Sequence, residues 1–403
     1  MSTDALALPL RPRHRSFLRE LERPSHAFGN IGPNWFASVM GTGIVANAAA
    51  LLPFDWPVLK ELAIGPWVLA VALLIVVGAA TVAHWALYPE RARGHLSDPA
   101  MAPFYGTLPM ALLTVGAGTL LVGEPVVGAH AAVAVDSVLW GLGTALGLTT
   151  MVGVPAMMIR RRDLEPRQTF GTWLLPVVPP IVSAATGAAL IPHLPTAGLQ
   201  QAMLLGCYAI LGAGLVLSLL TIALLWFRLM YVDQGPARMV PTLWLVLGPL
   251  GQSVTAVGLL GPHAGGLLRA PYGEGVEALG VVYGLPAWGF AMAWLALAAG
   301  ITLRAMRRGL PFSLTWWSFT FPVGTVATGT AVLATQTGAR AFAWLAVCIY
   351  AVLVFAWAVA FVNTARGVWS GALLKLPTPE PRSSSGPSGG PKDDRGAPVT
   401  SPA

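Results

Sequence analysis

The sequence predicts an all-α integral membrane protein of ten transmembrane helices paired as five helical hairpins, and three observations carry that expectation. The chain is 55% hydrophobic and only 10% charged, far from the mix of a soluble domain. A proline interrupts four apolar runs, at Pro109, Pro180, Pro249 and Pro322. The interval of roughly 70 residues holds two spans, since each helix needs about 20 apolar residues to cross the hydrocarbon core. Finally, of 24 lysines and arginines, all but Lys60, Arg269 and Arg340 fall in alternate loops and the two tails. One interval before Pro109 lies Met40, in a stretch where Gly41 and Gly43 stand in place of the proline. Five such units imply five weakened helices around an axis, each backed by a sturdier partner, the build of a pore or carrier.

Taken in order, the spans are expected at 34–52, 64–87, 107–122, 133–158, 173–191, 202–230, 242–260, 276–303, 316–334 and 342–361. Tryptophans mark many ends: Trp35, Trp56, Trp67, Trp85, Trp173, Trp226, Trp316, Trp317 and Trp369. Indole favours the headgroup layer, where its N–H can reach water. The even spans are long, rich in leucine and alanine, and mostly free of internal proline. The odd spans are short and broken by Pro109, by Pro176, Pro179 and Pro180, by Pro249 and by Pro322. An internal proline removes a helical hydrogen bond and costs about 3 kcal/mol or more. In lipid that damage is tolerated only where neighbours or water repair it. The odd helices are therefore expected inside and the even ones against lipid.

Charge sets the orientation. Arg11, Arg13, Arg15, Arg19 and Arg23 lie in the leading tail. Arg91 and Arg93, then Arg160, Arg161, Arg162 and Arg167, then Arg228 (in the last turn of the sixth span) and Arg238, then Arg304, Arg307 and Arg308 follow at alternate loops. Such alternation predicts an even number of spans with both termini cytoplasmic. The basic balance does not suggest nucleic-acid binding, because no basic helix face or aromatic-interleaved patch exists. Cys207 and Cys348 stand alone in separate apolar runs and read as small buried hydrophobes. The polar, arginine-rich N-terminus has no short apolar core or cleavage site, so no cleaved leader is expected.

The odd spans would line the interior with Ser38 and Thr42, Thr107 and Thr114, Ser183 and Thr186, Ser253 and Thr255, and Thr325, Thr328 and Thr330. Glycines accompany them, among them Gly41, Gly116, Gly187, Gly251 and Gly324. No Asp, Glu, Lys or Arg occurs in an odd span. Cation paths use acidic rings and proton-coupled carriers use an intramembrane carboxylate or histidine. A neutral hydroxyl lining points to a weakly held anion or neutral solute. The same small residues also serve as helix-packing contacts. Asp136 and Glu277 sit near the outer ends of even spans, where a carboxylate reaches water. His84 reads as interfacial, and His95 with Ser97 and Asp98 as a residue of the cytoplasmic mouth.

The stretch from Trp35 to Ile44 (WFASVMGTGI) and that from Trp316 to Pro322 (WWSFTFP) resemble the first and ninth helices of the tellurite-resistance/dicarboxylate transporter family. That family includes bacterial tellurite-resistance proteins, malate permeases, sulfite efflux pumps and plant slow anion channels. The likeness covers about residues 30 to 365, and the first motif is nearer the malate and sulfite branches. It implies quasi-fivefold symmetry around a central pore, a homotrimer, and a gating phenylalanine at Phe321 beside Pro322. The expected pore lining is Ser38, Gly41, Thr42, Pro109, Thr114, Pro180, Ser183, Pro249, Ser253, Gly324 and Thr325. The resemblance puts small anions, C4-dicarboxylates such as malate first and sulfite second, through the pore of a multi-pass inner (plasma) membrane protein. Chloride and nitrate are further alternatives.

No cofactor, metal site or catalytic residue is expected, because a nucleophile elbow, an HExxH helix and paired intramembrane aspartates are all missing. A membrane scaffold or an intramembrane enzyme is the distant alternative. The domain plan is a basic cytoplasmic tail over 1–30, the transmembrane domain over 31–365 and a disordered cytoplasmic tail over 366–403. Residues 11–28 have the pattern of a surface amphipathic helix with Phe17, Leu18 and Leu21 toward lipid.

Overall fold

The computed structural model describes residues 18–21, 24–161 and 164–375. Among these residues the protein is all-helical. The helices are α1 (Phe36–Leu51), α2 (Pro57–Leu87), α3 (Pro89–Ser97), α4 (Thr107–Leu121), the single turn α5 (Glu124–Val127), α6 (Ala129–Ile159) and α7 (Pro179–Gly187). They continue with α8 (Ala197–Tyr231), α9 (Leu247–Leu267), α10 (Tyr272–Arg307), α11 (Phe321–Thr337) and α12 (Arg340–Ser370). Seven helical stretches among the described residues are long and apolar enough to cross a membrane: α2, Ala102–Leu121, α6, α8, Ala237–Leu267, α10 and α12. The chain is thus a multi-pass membrane protein. The other three apolar elements, α1, α7 and α11, are shorter than a free-standing span.

Helices α1, α4, α7, α9 and α11 form a closed ring. Helix α1 touches α4, α4 touches α7, α7 touches α9, α9 touches α11, and α11 returns to α1. The long helices lie outside, each bridging two ring members: α2 packs on α1 and α4, α6 on α4 and α7, α8 on α7 and α9, α10 on α9 and α11, and α12 on α11 and α1. Burial follows the same division. In its most apolar window Ala237–Leu267 is 89% buried, whereas α12 is 22% buried. An apolar outer surface of that kind can only be solvated by lipid.

The prolines do something other than break these helices. Every ring segment begins as a 3-10 helix and widens into an α-helix: Pro33–Trp35 before α1, Ala102–Gly106 before α4, Gly171–Leu174 before α7, Ala237–Val246 before α9 and Leu314–Phe319 before α11. Pro109, Pro179, Pro180, Pro249 and Pro322 all occupy the first turn of the α-helical part. A first-turn N–H has no partner in the α ladder, so proline costs little there and its fixed φ starts the helix. Prolines within a helix body occur instead in the outer helices, at Pro66, Pro155 and Pro286, and at Pro262 in α9. The periodic signal therefore marked helix starts.

Tryptophans join the layers as often as they mark the ends. Trp56, Trp85, Trp226 and Trp369 are exposed, in keeping with a headgroup position, but Trp35, Trp67 and Trp317 are buried. The Nε1–H of Trp67 donates to Thr119 at 3.1 Å, that of Trp288 to Thr330 at 2.9 Å and that of Trp317 to Thr364 at 3.0 Å. A buried indole needs such an acceptor, and a hydroxyl on the facing helix provides it. Cys207 is buried as expected, while Cys348 is exposed on the outer face of α12.

The ends differ from the expected plan. Helix α12 continues to Ser370 and is followed by a turn at Ala372–Leu374, so the helical body extends past 365. Residues 376–403 lie outside the described residues. At the other terminus Leu18 and Leu21 form a turn packed on Gly371, with the Leu18 N–H donating to the Trp369 carbonyl at 2.8 Å. These two leucines face protein and not lipid; Phe17 lies outside the described residues.

Candidate functional site

Two cavities lie along the inside of the ring, and the same face of each helix serves both. Met40, Ile44, Asn47 and Leu51 follow one another at i, i+4, i+7 and i+11 on α1, a single helical stripe. On α9 the stripe is Gly248, Gln252, Thr255, Leu259 and His263. Met40 and Gly248 border a minute void together with Met110, Val178, Phe321 and Pro322. The later members of both stripes, with Ala117 and Leu121 of α4, Ala185 and Thr186 of α7, and Thr328 of α11, line a cavity of about 150 Å³. The two levels are two helical turns apart, about 10 Å.

The void beside Phe321 holds only about 10 Å³. A single water needs roughly 10–15 Å³, so the interior is closed at this level. Phe321 is 2% exposed and packs into the main apolar core. It is the first residue of α11, separated from the 3-10 segment by Thr320 alone, and Pro322 fixes the helix start behind it. Phe321 and Pro322 are thus brought to a closed level of the ring interior.

The other expected lining residues have other surroundings. Ser38 borders an apolar groove between α1, α2 and α12. Thr42 accepts the Trp357 indole N–H of α12 at 3.1 Å, and Ser253 pairs with the Tyr283 hydroxyl of α10 at 2.6 Å. Gly41 faces Trp317 and Thr320, and Gly324 faces Ile44, where a Cβ would meet those side chains. Pro109 lies against Gly143 and Gly147 of α6, and Pro179 against Gly147. Thr325 donates to the Leu247 carbonyl at 3.2 Å across the α9–α11 contact. Thr114 packs against Gly43. Pro180, Ser183 and Pro249 are buried at the starts of α7 and α9.

The hydroxyls do not supply free donors. Ser38, Thr42, Thr114 and Ser183 donate to backbone carbonyls of their own segments at 2.7, 2.7, 2.7 and 3.1 Å. Within the larger cavity Thr186 donates to Val182 and Thr328 to Thr325, both at 3.0 Å, and Thr255 shares a 2.7 Å bond with Thr328. Back-bonding of this kind is the ordinary habit of Ser and Thr within a helix. The polar character of the cavity comes from two carboxamides and an imidazole that the hydroxyl inventory passed over: Asn47, Gln252 and His263. Asn47 and Gln252 are 6% and 5% exposed. Their signal in the sequence was positional, since each stands one or two turns beyond Met40 or Gly248.

Two charged positions also depart from expectation. Asp136 is fully buried against Gly116 of α4, and neither carboxylate oxygen has a hydrogen-bond partner. The close α4–α6 approach permitted by Gly116 shuts this side chain away from water, although Glu277 is exposed as expected. His84 is buried, its Nδ1 lies 2.7 Å from the Phe28 carbonyl, and its ring stacks on His95 at 5.2 Å. It pins the segment before α1 to the end of α2. Burial chiefly, and His84 next, lower the pKa of His95, while Asp98 opposes them.

Comparison with known proteins adds the family. The chain is 26% identical to an uncharacterized transporter of Methanocaldococcus jannaschii over 86% of its length and 96% of the relative's. It is 29% identical to a sulfite efflux pump of Arthroderma otae over 84% of this chain and 91% of that one. A malic acid transport protein of Schizosaccharomyces pombe is 22% identical over 72% of this chain and 67% of its own. The family model described as voltage-dependent anion channel matches residues 30–365. With that match extending over the whole ring and its outer helices, the chain belongs to the voltage-dependent anion channel family.

Proposed function

We propose that this protein passes small anions along the axis of its ring, and that Phe321 is the gate. The observation that carries this reading is the pair of cavities on one set of helix faces, with the interior closed at the level of the smaller one by the buried phenyl ring of Phe321. In the full reading the ring helices with their 3-10 starts are the odd spans of a ten-span, quasi-fivefold protein. Both termini and the arginine-rich ends of α2, α6, α8 and α10 face the cytoplasm of a plasma membrane, and three copies assemble through the outer helices. A benzyl group blocks a neutral passage both by filling it and by dewetting it.

The proposed cargo is a small oxyanion. Sulfite is placed first, because the relatives named sulfite efflux pumps align over most of their length. C4-dicarboxylates such as malate are the second reading, supported by the malic acid transport protein. The test is flux of chloride, nitrate, sulfite and malate from proteoliposomes, wild type beside Phe321→Ala. At least a tenfold rise per folded protein is expected in the variant, taking the apolar constriction as the main barrier. A folded variant with no added flux would end the gate assignment.

A further inference from the structure

We propose that the cleft between the arginine-rich ends of α8 and α10 binds one anionic phospholipid, with an acyl chain along α10 and the phosphate on Arg304. The site lies on the outer surface, apart from the passage through the ring, and does not depend on the cargo or the gate.

Both helices pack on α9, and the cleft left between them encloses about 360 Å³. On the α8 side it is walled by Leu229 and Met230 in the last turn, with Gln234 just beyond. On the α10 side Ala296, Gly300 and Arg304 follow at intervals of four, one stripe about 12 Å long. A Cβ built at Gly300 would meet nothing within 4 Å, so this chain leaves the furrow unfilled there. Met230, Gln234, Ala296, Gly300 and Arg304 are all exposed, and the cleft therefore opens onto the lipid-facing surface.

The furrow is apolar along its length and cationic at one end. Leu229, Leu297 and Ile301 offer hydrocarbon to an acyl chain. Arg304 stands with Arg307 in the last turn of α10, and Arg308 follows. Among the described residues no ion pair involves any of the three. The carboxylate at this end of α8, Asp233, lies 3.6 Å from Arg228 and is already engaged. A guanidinium donates a forked pair of N–H bonds to phosphate oxygens, and the Gln234 carboxamide across the cleft adds further donors. Basic pockets between helices at the membrane surface hold acidic headgroups in this way. The groove between α2 and α12 has no lysine or arginine in its wall, so it offers a place for a chain but none for an anionic headgroup.

The experiment titrates the purified protein in detergent with phosphatidylglycerol or phosphatidylcholine of identical acyl chains and reads each affinity by native mass spectrometry. Tighter binding of phosphatidylglycerol is expected. Arg304→Gln should weaken it about fivefold and leave phosphatidylcholine unchanged. Gly300→Leu fills the furrow and should weaken both lipids. Arg340→Gln removes an exposed charge at the start of α12 and should change neither. An affinity for phosphatidylglycerol unchanged within about twofold in Arg304→Gln, or an equal loss in Arg340→Gln, overturns the headgroup assignment. Glycerol phosphate binding as tightly as the lipid would leave a free-anion site and overturn the acyl-chain assignment. A changed oligomeric mass in Gly300→Leu would make the cleft a contact between copies of this chain and overturn the proposal. Thermal midpoints equal to wild type separate these results from misfolding.

Discussion

The indole N–H of Trp357 on α12 donates to Oγ1 of Thr42 on α1 at 3.1 Å, joining residues near the two ends of the chain. Thr42 donates its own proton to the Ser38 carbonyl, so its hydroxyl is the acceptor. The bond lies where the last outer helix meets the first ring helix, the seam at which the ring closes. Trp357→Phe should keep the stacking on Phe361 and lose this bond. The expected loss is about 1 kcal/mol, read as a lower thermal midpoint of the purified protein. An unchanged midpoint would mean that packing alone holds the seam.

Gly251 lies where α9 meets α11, and a Cβ there would meet the Thr325 and Val326 backbone. Backbone cannot rotate away as a side chain can. Gly251→Ala should therefore cost about 1–3 kcal/mol through overpacking. Gly266→Ala, with open space around it, should be neutral. Thermal melts of the two variants side by side decide whether the ring contact is as close as described.

Asp136 is buried with both oxygens unpaired. Replacing a buried carboxyl that has no partner loses no ion pair and no hydrogen bond. Asp136→Asn should leave the midpoint equal or higher, and anion flux at fixed pH close to wild type. Loss of flux at unchanged expression would make this carboxylate a proton carrier.

His95 has its pKa lowered, first by burial and then by His84. Its folded form binds a proton less readily than the unfolded chain does. The stability it contributes is present above the unfolded value of about 6.5 and lost as pH falls below it, levelling off under the folded pKa. His95→Gln should flatten the decline of the thermal midpoint on acidification over that range. A steeper decline in the variant would reverse the sign of the linkage.

Single cysteines placed at Lys60, Arg269 and Arg340 in a Cys348→Ser background should react with an impermeant thiol reagent added outside intact cells. Cysteines at Arg160 or Arg307 should not. Labelling at Arg307 would invert the orientation proposed from the charge alternation.

Composition, the spacing of the prolines and the alternation of arginines were sufficient to read a helical membrane protein of paired inner and outer elements. These properties survive any rearrangement of side chains, because lipid demands apolar length and internally satisfied backbone whatever the packing. Phe321 was legible through its neighbour Pro322 and the motif around it. The meaning of the prolines was not: only the helices themselves put Pro109, Pro180, Pro249 and Pro322 in first turns. Nor could the sequence tell which polar residues face the axis. Ser38, Thr42 and Ser253 share their segments with Asn47 and Gln252, but a helix turns by about 100° per residue. Which stripe points inward is decided by contacts with helices hundreds of residues away, such as α12 against α1. Tertiary packing thus turned Thr42 and Ser253 toward the outer helices and brought Asn47 and Gln252, beside Thr186, Thr255 and Thr328, to the cavity wall, where the hydroxyls satisfy themselves on their own helices.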